Sequence, residues 1–105
     1  METLADKRNL LSYFGIPLTF PTFNILGING EDFSNVNFEV DAISHRAIIY
    51  YWQITQEDWN SFSIDKDDRF TTLSGSKILT WVITQKPFID NYGWVKITGN
   101  LVSIL

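Results

Sequence analysis

Residues 47–55, AIIYYWQIT, carry apolar side chains at nearly every position, and this stretch constrains the fold more than any other. Alternate residues of a strand point to opposite faces. Ile48, Tyr50, Trp52 and Ile54 therefore share one side, and Ala47, Ile49 and Tyr51 the other. A strand apolar on both sides is central in its sheet, or has something packed over its second face.

The rest of the chain supplies neighbours for it. TFNILGI (22–28) reads as a strand, and Asn29-Gly30 as a tight turn after it. VNFEVDAI (36–43) alternates, with Val36, Phe38, Val40 and Ala42 on one face and Asn37, Glu39 and Asp41 on the other, the pattern of a half-buried antiparallel strand. ILTWVIT (78–84) puts Leu79, Trp81 and Ile83 on one face. GWVKITGNLVSIL (93–105) follows the hairpin turn DNYG as a long final strand, bent or bulged at Gly99. Upstream the period is helical: Leu4, Leu11 and Phe14 recur at helix spacing over 2–14, Glu2 and Asp6 suit the N-terminal dipole, and Gly15 stops the helix. Pro17 forbids continuation, leaving IPLTFPTF as an extended connector.

These elements predict an α+β fold: an N-terminal helix packed on a curled, mostly antiparallel sheet of about five strands, as a small open barrel or a helix laid on a sheet. A chain of 105 residues fits one domain, residues 1–105, and at this size folding buries roughly 60–70% of the unfolded surface without metal or disulfide staples.

Composition narrows the functions. The chain has no cysteine, so thiolate metal sites and thiol catalysis are out. No apolar run approaches the roughly 18 residues of a membrane span, and the N-terminus lacks the apolar core of a signal peptide. A cytoplasmic protein without cofactor is expected. Charge is unevenly spread: residues 31–68 hold nine acids against Arg46 and Lys66, while residues 69–105 hold four bases against Asp90. An acidic middle opposes phosphate neutralisation, so direct nucleic-acid binding is not expected; it reads as a solvated face that aids solubility and is compatible with steering toward a basic partner.

No motif carries catalysis. Thr55, followed by Glu57 and Asp58, resembles a helix N-cap with acids in the first turn. DKDDRF (65–70) fails as a calcium loop, because Arg69, Phe70 and Ser76 stand where an oxygen ligand, glycine and glutamate belong. His45, the single histidine, reads as an exposed turn residue with Asp41 four positions upstream. A zinc site would have to draw its remaining ligands from carboxylates. SGSK (74–77) lacks the spacing of a phosphate-binding loop and reads as a loop before a strand.

Two functions of different class remain. The first is a small non-enzymatic inhibitor, like an immunity protein or an inhibitor encoded by a phage or mobile element. It would bind a larger, basic-surfaced protein through Tyr51, Glu57, Asp58, Trp59, Asp65, Asp67 and Asp68, aromatic anchors in a charged rim. Replacing Trp59 is then expected to weaken binding with little effect on melting. The second is a small-molecule-binding or enzymatic domain with an apolar pocket inside the curled sheet, its polar contacts coming from Gln53 and Thr80. A homo-oligomer, or a subunit of a larger assembly, would cover the second face of 47–55.

Overall fold

The computed structural model describes residues 2–40 and 43–105, and side chains for 2–32 and 48–105. Helix α1 (Leu4–Phe14) starts at Thr3, whose hydroxyl accepts the Asp6 N–H at 3.2 Å while the Asp6 carboxylate accepts the Thr3 N–H at 3.0 Å. Those bonds to Thr3 hold the Asp6 carboxyl below its ordinary range. Of the apolar stripe expected on α1, only Leu11 is buried. Leu4 and Phe14 face solvent, and Lys7 lies beneath them one turn before Leu11.

Among the described residues seven strands follow in sequence with a second helix among them: β1 (Ile16–Thr19), β2 (Asn24–Val40), β3 (Ile43–Ile54), α2 (Gln56–Phe62), β4 (Arg69–Ser74), β5 (Lys77–Ile83), β6 (Phe88–Ile89) and β7 (Val95–Ile104). All their pairings are antiparallel, in the order β3-β2-β1-β4-β5-β7-β6. Pairing of β3 with β7 from Tyr50↔Gly99 to Ile54↔Val95 then closes six strands into a barrel. The fold is α+β with a helix on a curled sheet, as expected, and the curl completes itself. β7 achieves this by serving β3 with residues 95–99 and β5 with residues 99–104, changing neighbour at Gly99.

Four sequence expectations change. Asn29-Gly30 makes no turn: β2 runs through it, with Asn29 opposite Trp52 and Gly30 opposite Tyr51. The glycine is there for a different reason, since a Cβ at Gly30 would collide with the Tyr51 ring. Residues 16–19 of the expected connector pair with β2 as β1, but join β4 only at Thr19↔Thr71. β4 and β6 are added strands. SGSK is a loop before a strand, as expected: it makes the β4–β5 hairpin turn, entered by Ser74↔Lys77 with Gly75 at φ 62. Finally, His45 lies within β3 opposite Phe38, not in a turn. Its side chain, and the face alternation expected for 36–43, lie outside the described residues, as does Asp41.

The barrel interior is filled by Leu18, Phe20, Ile25, Trp52, Ile54, Phe70, Trp81, Ile83, Val95 and Ile97. Trp52 packs edge-on against Phe70 and Trp81, with ring centres 4.9 and 4.7 Å away. Gly99 makes room for it: a Cβ there would stand 3.1 Å from the Trp52 Cζ3. α2 follows β3 directly, capped by the Thr55 hydroxyl on the Asp58 N–H at 3.1 Å. It brings Phe62 onto Phe23, which stacks on Phe20.

Beyond the barrel the β2–β3 pair continues alone. From Asp32↔Ile49 to Val40↔Ile43 the two strands pair with each other and with no other described strand. This arm projects roughly 25–30 Å at strand rise, and the molecule measures 49 × 33 × 25 Å. A change of register between Phe33 and Asn37 places a bulge within it.

Candidate functional site

The residues singled out from sequence fall into three groups, and among the described residues no side-chain ion pair links one group to another. The first lies on α2. Arg8 of α1 spans both acids, with Nη1 and Nη2 donating to the Asp58 carboxylate at 3.0 and 3.1 Å, and Nη2 to Glu57 at 3.2 Å. The fork holds the Arg8 guanidinium above its usual range, chiefly through the bond to Asp58. Asp58 is buried. Half of the expected acidic rim on this helix is therefore already neutralised, and its task is to dock α1.

Trp59 is half-buried against the core, and its indole N–H donates to the Ile64 carbonyl at 2.9 Å. That bond ties the end of α2 to the loop after it. The second group, Asp65, Asp67 and Asp68, forms that loop and is exposed. Asp68 accepts the Asp65 N–H at 2.9 Å, and Asp65 accepts the Lys66 N–H at 2.7 Å. Asp67 takes φ 73, and its N–H donates to Ile83 of β5 at 2.9 Å. Among the described residues, no three His, Asp or Glu side chains gather in a way that could hold a metal ion.

The third group is built on Tyr51 at the root of the arm. Tyr51 points outward from β3, its ring over Gly30. Lys96 of β7 stands 4.0 Å from the centre of that ring, and its ammonium reaches the Asp32 carboxylate at 2.6 Å. Asn29 closes the cluster by donating to the Tyr51 carbonyl at 3.1 Å. Sequence reading found Tyr51 and missed its partners, which lie 45 residues downstream and about 20 upstream. The available signal was a lysine in WVKIT, placed on the outward face between Val95 and Ile97. Beside this cluster Glu31 is exposed at the arm's root, and Ile48 and Ile49 are exposed on the arm.

The second face of β3 is uncovered. Ile49 is exposed and Tyr51 half-buried, so β3 is central through its two partner strands, with no third layer over it among the described residues. Gln53, expected inside a pocket, lies on that outer face and donates to Asp90 at 3.1 Å. Thr80 likewise lies out of register with the inward Leu79 and Trp81.

A cavity does exist inside the curl. It opens beside the arm, occupies about 360 Å³, and has Tyr50, Trp52, Trp81 and Leu79 in its wall with Leu73 and Ile104 at its rim. Thr72 accepts the Trp81 N–H at 2.9 Å. The Trp52 N–H is buried and has no hydrogen-bond partner among the described residues. None of the lining side chains is charged. Among the described residues no helix is long and apolar enough to cross a membrane. No protein family, curated protein or solved structure matches this chain.

Proposed function

We propose that the chain is a small, non-enzymatic cytoplasmic inhibitor, of the immunity-protein or mobile-element kind, that binds a larger protein with a basic surface. The observation that carries this reading is the arm. Two strands leave the barrel with their outer edges unpaired, and a free strand edge is a template for another chain's strand. At its root stand Tyr51, Glu31 and Asp32, with Ile48 and Ile49 exposed beside them. That is an aromatic and aliphatic centre with acids around it. On α2 Arg8 occupies the acids, and at the arm's root Asp32 is likewise paired with Lys96, so Glu31 is the exposed acid this reading relies on there. A basic cleft, as in enzymes that act on nucleic acid, would be attracted at long range and gain association rate.

The test is co-purification from lysate with tagged wild type and with Glu31→Lys combined with Ile49→Lys. The wild type should retain a specific protein at low salt and less of it at high salt, and the double variant should lose it at both. Capture of nothing by wild type, or equal capture by the variant, overturns the proposal.

A second reading rests on Trp52. A buried indole N–H without a partner costs about 1–3 kcal/mol, and it borders a neutral cavity in the mouth of a barrel, a favoured ligand position. A small neutral ligand bearing one acceptor would fit there. A thermal-shift screen of uncharged metabolites checks this, and silence across the panel would remove it.

A further inference from the structure

Two charged side chains are buried among the described residues, Lys7 and Asp58. Asp58 is neutralised by Arg8. Lys7 is not. Its ammonium donates one hydrogen bond, to the Glu2 carbonyl at 3.2 Å, and stands 5.7 Å from the centre of the Trp94 ring. No described carboxylate lies within ion-pair distance of it. An ammonium has three donors, so two remain for the cleft it lines, in a residue only 7% exposed overall. A cation held in a largely buried residue at the wall of a cleft favours an anionic partner there.

The space for that partner is present. A cleft of about 400 Å³ is lined by Glu2, Lys7, Gln56, Asn91, Tyr92 and Gly93. Gly93, at φ 82, is in a conformation that favours glycine, and its missing side chain keeps the ammonium open. A Cβ there would stand 3.5 Å from both the Lys7 Nζ and the Gln56 Nε2. Gln56 is fixed by donating to the Gly93 carbonyl at 2.9 Å. The Asp90 carboxylate shapes the loop by accepting the N–H groups of Tyr92 and Trp94 at 2.8 and 3.0 Å.

We propose that this cleft binds a small carboxylate, whose two oxygens take the free donors of Lys7. The single negative charge follows from Glu2, whose carboxylate accepts the Trp94 indole N–H at 3.1 Å and lines the same cleft. It would repel a dianion such as phosphate more strongly than a monoanion. The site is separate from the arm and does not depend on a protein partner.

Titration of ¹⁵N-labelled protein with acetate, at constant ionic strength, tests this through the Trp94 indole and Gly93 amide signals. Acetamide serves as the neutral isostere and inorganic phosphate as the dianion. Saturable shifts are expected with acetate, none with acetamide, and weaker binding of phosphate. Lys7→Met should lower acetate affinity about tenfold or more, the loss of a charge-assisted bond. The proposal is overturned by absent saturation, by acetamide matching acetate, by phosphate binding more tightly, or by a folded Lys7→Met that binds as wild type does. Should that variant not fold, the comparison of acetate with acetamide on wild type decides alone.

Discussion

Trp59 shows how a residue flanked by acids becomes a fastener. Its ring packs on the core and its N–H is bonded to Ile64, so Trp59→Ala should cost about 2–4 kcal/mol in urea denaturation. A loss under about 0.5 kcal/mol, the range of surface substitutions, would restore the free platform expected from sequence. Arg8 is the matching case. Arg8→Ala strands the buried Asp58 and should cost about 1–2 kcal/mol, limited because Arg8 itself is part exposed. Arg8→Lys should recover only part, since an ammonium cannot make the fork. Asp6 gives a pH effect of defined sign. Its folded pKa is depressed by Thr3, so its contribution is present above the ordinary aspartate range and fades as pH falls through the lower, folded value. An NMR titration should find Asp6 below ordinary aspartate in wild type and returned toward it in Thr3→Ala.

At the scale of elements, the arm depends on one close approach. Gly30→Ala forces a methyl against the Tyr51 ring and should cost about 1–3 kcal/mol. In a Tyr51→Ala background the same change should cost much less, and a double-mutant cycle measures the difference. Additivity of the two changes would contradict the contact. This pair also explains what sequence could reveal. The alternation of Leu79, Trp81 and Ile83 and the cap at Thr55 were legible because each depends on neighbours a few residues away. Asn29-Gly30 was misleading because its glycine answers to Tyr51 across the sheet, not to a turn. β4 was hidden because its inward Thr72 reads as polar, although its hydroxyl is taken up by Trp81. The acids of α2 were visible, but the Arg8 that occupies them is about fifty residues away.

For the molecule as a whole, the barrel is unevenly stitched. β4 and β5 pair from Arg69↔Val82 to Ser74↔Lys77, whereas β1 meets β4 at Thr19↔Thr71 alone. Local opening follows the weakest set of backbone bonds. Hydrogen exchange should therefore find the β1 amides far less protected than those of β5 and β7, and uniform protection around the barrel would contradict a seam there. The double duty of β7 has a consequence for the order of synthesis. β3 and β5 are both made before the strand that joins them, so the ribosome presents a half-built curl with two open borders. Trp52 and Trp81 face the interior of that unfinished shell. Docking of Val95–Ile104 seals both borders in one event, so the interval before it is when the chain is most vulnerable to capture by a chaperone or by another copy of itself.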